Sequence, residues 1–556
     1  MVSPIFKEYC SYIAKQKEKY GDKSVVLMQV GSFYEIYAIL NEDEELGEVN
    51  IYHICNDLLN ISVAPKTNKV LMGGFQLPYS EKFIKLLIDN DYTVTVVQQV
   101  SEPPNVAREI TEVISPGTYT NADTNKNMNN YMMSIYIESL SNEYTGVGVA
   151  IIDVCTGKNY IHQIDVNSDR NFWKDELNRL INYYSPREFL FQTENMDLTH
   201  HDIMNYWDIQ NSSLQINHYK DKSLTKINNQ NKILQKIFNF KTAITPLEEL
   251  GIHQKYELTQ AYVYMLEYVN EHKTDCLRNL ERPELLDNIH HLMLTSTSVR
   301  QLNVVNNYSY YKGQNESLYS ICSGCGFIGG RRLLKERLLY PSINQDVLNL
   351  RYDRVEQLMD SGVYTDLRKD LRYLTDLDKS LRKMGTDAME APSFISTISS
   401  YTYLKRVIDY LSVNNLMKHY SQFTEDIITF NSFYKEIQDT FQIQHLSDSK
   451  EPYFKKGYHQ DMDDLHESMN ESYHKLNLIQ QRLSNILETK DACKLGTNDK
   501  HGIFLYCTKK RSTILKQRFN NIPDHLLNIR DNSDIIFKIP IESFNFKTKD
   551  SSSVFA

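Results

Sequence analysis

The sequence predicts a multidomain protein, mixed α/β over its first 240 residues, predominantly helical beyond that, and β-rich again near its end. Three observations carry this. The chain has 556 residues, or three to four domains at ~150 residues each. Before residue 240, short runs rich in β-branched and aromatic residues alternate with short amphipathic stretches. After it, apolar residues recur at helical spacing over long segments. An apolar fraction of 41% supports sizeable cores.

The first 120 residues form one expected α/β unit. A helix over 4–19, with Phe6, Tyr9 and Ile13 on one face, ends at Gly21. Strands follow at 25–30 and 33–37, separated at Gly31. A short helix at 81–90 leads to a strand at 92–99, and Ser115-Pro116-Gly117-Thr118 closes the unit with a strong turn signal. The polar run at 121–130 reads as a linker. A second α/β unit, 121–240, opens with two strands in MMSIYIES and GVGVAIIDV, then a strand at 159–163 and a helix at 171–184. Residues 207–240 carry no clear period.

The third region, 241–460, shows helices at 257–270, 365–385 and 400–416. The last, 461–556, begins with the clearest helix of the chain. Over 461–490, Leu465, Met469, Leu476, Ile479, Leu483 and Ile486 follow a near-heptad spacing, and such a helix would be ~40 Å long. Strand alternation returns at 502–510 and 534–550. The sequence ends soon after, with no closing helix, which suggests an unfinished architecture.

Composition excludes some classes. A formal net charge of -10 argues against a protein that coats nucleic acid everywhere, though not against a local basic grip. Eight cysteines are scattered, and the one CxxC pair, Cys322 and Cys325, has no second pair to complete a zinc site. No apolar run of ~18 residues is present, so no membrane span is expected. The N-terminus lacks an export signal, so a soluble, intracellular protein is expected.

Several motifs carry a family resemblance. In GSFYEIY, Phe33 and Glu35 form a Phe-x-Glu pair behind a valine-rich strand and Gly31. MGGFQLP at 72–78, the Arg108-Glu109 pair and the closing Ser115–Thr118 turn follow in order. Further on come GVGVAIIDVCTGK at 146–158, HHLMLTSTSVRQLNV at 290–304, CGFIGGRRLLKERLLYP at 325–341, RYDRVEQL at 351–358, LTDLDKSLRKM at 374–384 and LGTNDKHGIFLYCTKK at 495–510. This ordered set resembles the MutS family of DNA mismatch-recognition proteins over nearly the whole chain. The FNFKTKDSSS run near the end most resembles the large type found in giant viruses and octocoral mitochondria, and a viral source would place the protein in the host cytoplasm.

The resemblance implies a mixed α/β mismatch-recognition domain (1–120), a ribonuclease-H-like connector domain (121–240), a long-helix core and lever domain (241–460), and a lever helix with a partial β-rich clamp (461–556). It implies binding of double-stranded DNA with mismatches or small loops. Phe33 would act as an apolar wedge in the minor groove, where a mismatched step unstacks at lower cost. Glu35 would accept a hydrogen bond from a displaced base edge. On residue type alone, Phe33 is more readily a core aromatic. Lys509, Lys510, Arg511, Lys547 and Lys549 are candidate phosphate contacts, with an ordinary solvated charge run as the plain alternative. Asp461, Asp463 and Asp464 suit the dipole of a helix start. Asp153 lacks companion carboxylates for metal, and His290, His291 and His501 lack a ligand set.

Family members are dimers that hydrolyse ATP through a G-x-x-x-x-G-K-[ST] loop with Mg. None of the 556 residues supplies that loop. The expectation is therefore a DNA-binding chain without catalytic or cofactor residues of its own, whose ATPase and second clamp half would come from a separate chain or a longer reading frame. A junction-binding or scaffolding relative is the alternative.

Overall fold

The structure is a computed structural model. It describes residues 4–40, 49–67, 69–101, 106–120, 129–139, 145–165, 169, 171–195, 200–207, 209, 213–218, 223–286, 291–292, 294–305, 317–443, 453–489, 491–498, 502–531, 534–548 and 553–555. The chain divides into two compact units, Met1–Asn431 and Ser432–Ala556.

The first unit begins with α1 (Pro4–Tyr20), which Gly21 ends at a left-handed φ of +80°. A six-stranded sheet follows, made of β1 (Ser24–Val30), β2 (Phe33–Ile39), β3 (Ala64–Thr67), β4 (Val70–Gln76), β5 (Thr93–Gln99) and β6 (Arg108–Ile114). Their order is β3-β4-β2-β1-β5-β6, with only β1 and β5 parallel. The helix α2 (Ser80–Asp89) precedes β5. Tyr9 and Ile13 of α1, Val26 and Leu27 of β1, and Leu87 and Ile88 of α2 share one core. The helix and strand positions expected for 4–19, 25–30, 33–37, 81–90 and 92–99 match, while β3, β4 and β6 carried too little local alternation to be read as strands.

A second sheet contains β7 (Tyr131–Ser139), β8 (Thr145–Asp153), β9 (Asn159–Ile164), β10 (Glu188–Glu194), β11 (Ser213–His218) and β12 (Glu284–Leu285), in the order β11-β10-β7-β8-β9-β12. The helix α3 (Phe172–Tyr184) lies between β9 and β10 in the chain, and α4 (His200–Trp207) before β11; α5 (Ile227–Phe238), α6 (Pro246–Glu249) and α7 (Tyr256–His272) follow it. Period-2 alternation divides β7 between two cores. Met133, Ile135 and Ile137 pack with Trp173 and Leu177 of α3, whereas Met132 and Tyr136 pack with Leu258, Tyr262 and Leu266 of α7. Residues 257–270 read as part of the helical region, but α7 is buried on this sheet, where Gly148 of β8 leaves room for it. A Cβ at Gly148 would lie 2.2 Å from the Glu257 carbonyl.

Glu188 joins three elements. Its buried carboxylate accepts hydrogen bonds from Ser115 Oγ (2.6 Å), Gly117 N–H (2.7 Å) and Tyr268 Oη (2.7 Å). The turn closing the first sheet is thereby tied to β10 and α7. Burial raises the carboxyl and these donors oppose that shift.

The remaining helices of this unit are α8 (Ser296–Gln301), α9 (Leu318–Cys322), α10 (Ile328–Leu339), α11 (Gln345–Ser361), α12 (Tyr364–Leu371), α13 (Leu377–Gly385) and α14 (Ala391–Val413). The single helix expected over 365–385 is two. Asp376 accepts from Lys379 N–H as the N-cap of α13 and binds Arg332 of α10, so the chain breaks before it. Among the described residues of the 290–304 segment, Ser296–Gln301 form the helix.

From α15 (Thr424–Thr440) the chain enters the second unit, which contains α16 (Gln460–Ile486), β13 (Lys494–Asn498), β14 (Gly502–Thr508), α17 (Lys509–Phe519), β15 (Leu526–Asp531), β16 (Asp534–Pro540), β17 (Lys547–Thr548) and β18 (Ser553–Phe555). A four-stranded sheet runs β13-β14-β18-β17, and β15 pairs with β16. Leu478, Leu483 and Leu487 pack with Leu505, Leu515, Phe519 and Leu527. The near-heptad seam of α16 is used unevenly, for Leu483 is buried while Leu465 is 65% exposed. The strand expected over 502–510 stops at Thr508, whose side chain caps α17 through Arg511 N–H. No described helix is long and apolar enough to cross a membrane.

Candidate nucleic-acid interface

β1 and β2 form a hairpin in which Val30 pairs with Phe33 across the two-residue turn Gly31-Ser32, with Gly31 at φ +60°. The first residue of β2 is therefore held at the sheet margin. Phe33 is 40% exposed, whereas Tyr34 and Tyr37 are buried. Tyr34 points into the core beside Phe75, and its hydroxyl accepts from Gln98 Nε2 at 3.0 Å. Tyr37 is held edge-on by the rings of Phe6 (5.0 Å) and Tyr9 (5.3 Å) from α1. Of the three clustered aromatics, only Phe33 is presented outward.

Glu35 follows Phe33 on the same face, as the strand period requires. Its carboxylate is engaged. Oε2 accepts from Lys66 Nζ at 2.5 Å and from the Tyr37 hydroxyl. Lys66 Nζ also donates to Tyr37 Oη at 3.2 Å and lies 5.0 Å from the centre of that ring. Burial raises the Tyr37 phenol well above its ordinary value, and the adjacent Glu35 carboxylate adds to the effect. Gly74 pairs with Glu35, where a Cβ would come 2.7 Å from the Tyr34 carbonyl oxygen and 3.4 Å from Glu35 Cγ. Arg108 braces the far side of the hairpin, with Nε donating to the Gln29 carbonyl at 3.1 Å.

Sequence reading missed Lys66 and the contact of Tyr37 with Glu35. Lys66 lies 31 residues from Glu35. It sits at an irregularity of β3, where Pro65 pairs with Leu71 and Thr67 with Val70. A bulge of this kind re-aims one side chain, and no local sequence signal announces its target.

In the second unit, Lys509, Lys510 and Arg511 form the first turn of α17. Lys509 and Lys510 are exposed, while Arg511 is half-buried and donates to the Ala492 carbonyl at 3.3 Å. Arg511 thus has a structural bond that the lysines lack. Lys547 is exposed at the start of β17, and Lys549 lies outside the described residues.

Other candidates have local explanations. Asp153 Oδ1 accepts from Cys155 N–H and Oδ2 from Asn129 Nδ2, which fixes the turn after β8. Asp463, in the first turn of α16, accepts from Gly457 N–H at 2.7 Å. His291 stacks on Tyr340, and His290 and His501 lie outside the described residues. Among the described residues, no group of three or more His, Cys, Asp or Glu side chains is placed to hold a metal ion.

The fold defines a modular chain with two sheet-centred α/β domains, a helical array, and a sheet-bearing unit whose helix α17 starts with basic residues. Comparison with known proteins narrows this. The family model for MutS domain I matches residues 4–123, and that for MutS domain III matches residues 297–537. A DNA mismatch repair MutS homologue of Acanthamoeba polyphaga mimivirus is 26% identical over 93% of this chain and 50% of its own length. The DNA mismatch repair proteins MutS of Caldanaerobacter subterraneus and Borrelia garinii are 23% and 24% identical over 93% and 95% of this chain, each over 56% of its own length. The chain belongs to the MutS family. It spans about half the length of the curated relatives it matches.

Proposed function

We propose that this chain binds mismatched duplex DNA in DNA mismatch repair. The observation that carries the reading is the outward-facing Phe33 at the end of a rigid hairpin, with Glu35 two residues along on the same face, inside the region matched by MutS domain I. Phe33 acts as a wedge at a weakly stacked step, and selectivity comes from the lower cost of deforming mismatched DNA. Glu35 accepts a hydrogen bond from a base edge freed by mispairing. Lys509, Lys510, Lys547 and Lys549, with a smaller share from Arg511, contact phosphates and add salt dependence without sequence reading.

The second sheet supports the connector reading. Its antiparallel β7, β8 and β9, with β10 and β11 parallel to β7, follow the strand layout of a ribonuclease-H-like domain. Its α7 lies on the other side of the expected boundary at residue 240. The 556 residues contain no G-x-x-x-x-G-K-[ST] loop, so ATP hydrolysis coupled to this binding would be supplied by residues outside them, on this polypeptide or a partner.

The test is binding of the chain to a duplex with one G·T mismatch and to its fully paired twin, with Phe33→Ala alongside. The expected result is a preference for the mismatch that Phe33→Ala abolishes. Equal affinity for the two duplexes, or a preference that survives Phe33→Ala, would overturn the wedge. Tighter binding to a four-way junction than to the mismatch would favour a junction-binding role.

A further inference from the structure

A carboxylate beside DNA is electrostatically unfavourable, because it faces a dense line of phosphates. Glu35 does not stand there as a bare charge. Lys66 Nζ lies 2.5 Å from its Oε2, Tyr37 donates to the same oxygen, and Lys66 is in turn held by Tyr37 Oη at 3.2 Å. The three groups form a closed triangle whose one rigid corner is the fully buried Tyr37 ring. The other two corners differ in access, with side-chain exposures of 34% for Lys66 and 13% for Glu35. The irregularity of β3 turns Lys66 toward the carboxylate, and Gly74 puts no side chain on the strand opposite Glu35.

We propose that Lys66 is the built-in counter-ion of Glu35, and that it passes from the carboxylate to a backbone phosphate on duplex DNA, which leaves Glu35 free to engage a base edge. The assignment rests on the DNA-binding reading above. In the free protein the pair is neutral, so Glu35 does not repel an approaching duplex. At the surface, a phosphate competes for the more exposed partner, Lys66. Its departure frees one lone-pair direction on Glu35 Oε2 while Tyr37 still holds the carboxylate in place. Lys66 is thus a positioning residue for Glu35 and a phosphate contact in turn. Along a paired duplex the phosphate contact forms, but no base edge takes up the freed carboxylate. A mismatch completes the exchange.

The experiment is a double-mutant cycle on the full chain, with Lys66→Met, Glu35→Gln and the double variant. Affinity for G·T-mismatched and paired duplexes is measured across a salt series, with Lys66→Arg as the conservative control and a thermal melt of each variant. Lys66→Met should weaken binding to both duplexes about tenfold at low salt and reduce the salt slope by about 1. On the paired duplex, Glu35→Gln in the Lys66→Met background should recover the part of that loss that comes from the bare carboxylate, and Lys66→Arg should retain the wild-type slope. Additive effects of Lys66→Met and Glu35→Gln, or an unchanged salt slope in Lys66→Met, would overturn the counter-ion role. The two readings separate cleanly. If wild type prefers the mismatch through Phe33 but the cycle is additive, only the role of Lys66 falls. If wild type binds neither duplex, both fall.

Discussion

Single residues in this chain are set by what surrounds them more than by their type. Phe33 and Tyr34 are adjacent aromatics, yet one is 40% exposed and the other is buried. Part of the Phe33 ring is covered and part is exposed, so Phe33→Ala should cost about 1 kcal/mol, well below the ~3–5 kcal/mol of a fully buried Phe→Ala. A thermal melt checks this, and a large loss would identify Phe33 as a structural residue. His272 is the opposite case. It is buried against Tyr20 and Tyr268, its Nδ1 is 2.7 Å from the Tyr268 carbonyl, and burial pulls the imidazole down to about 4. The unfolded chain therefore binds a proton at higher pH than the folded chain does. Stability should fall as pH drops from about 6.5 toward 4, by about 2 kcal/mol at pH 5. Glu188, whose carboxyl burial raises, contributes with the opposite sign. The difference in denaturation midpoints between wild type and His272→Gln isolates the imidazole. A difference that does not vary between pH 7 and pH 5 would contradict this assignment.

At the level of elements, periodicity located helices but not their packing. The long helix α16 has one apolar spacing along its length, but its neighbours lie at its C-terminal half, where Leu478 and Leu483 enter the core. Leu483→Ala should cost ~2–5 kcal/mol, and Leu465→Ala less than about 0.5 kcal/mol, both read as shifts of the denaturant midpoint. Comparable losses at the two positions would mean that the whole seam is packed. The basic run at 509–511 shows how capping outweighs strand propensity. Thr508 accepts from Arg511 N–H and begins a helix where alternation had suggested a longer strand. The lysines then occupy a helix N-terminus, where the dipole disfavours cations. Lys509→Ala combined with Lys510→Ala should lower the salt slope of DNA binding by up to about 2, and an unchanged slope would remove these lysines from the interface.

Across the larger unit, a few close approaches connect elements far apart in sequence. Arg382 donates to the carbonyls of Cys276, Arg278 and Asn279, joining α13 to the chain just after α7. Glu188 joins the Ser115–Thr118 turn to β10 and α7. Gly148 allows the start of α7 to lie directly on β8. A methyl group at Gly148 meets backbone on the opposing helix, which cannot rotate away. Gly148→Ala should therefore destabilise this unit by several kcal/mol. Amide hydrogen exchange should show lost protection in α7 and β8, while α16 and β14 keep theirs. Undiminished protection of α7 would show that the contact can relax.

The sequence by itself determined the elements with strong local periods, namely α1, β1, β2, α2, β5, β7, β8, α3 and α16. It also placed Phe33 and Glu35 on one strand face, because a period of two needs no knowledge of the rest of the chain. The ordered motifs carried the family resemblance, and the family models for MutS domains I and III match residues 4–123 and 297–537. Only the tertiary structure decided that Phe33 faces outward, that α7 belongs to the second sheet, that 365–385 breaks at Asp376, and that Glu35 is held by Lys66 and Tyr37. Each of these depends on contacts across tens of residues or on strand register. Local propensity has no term for either, because the free energy of such a contact is realised only when the rest of the domain has closed around it.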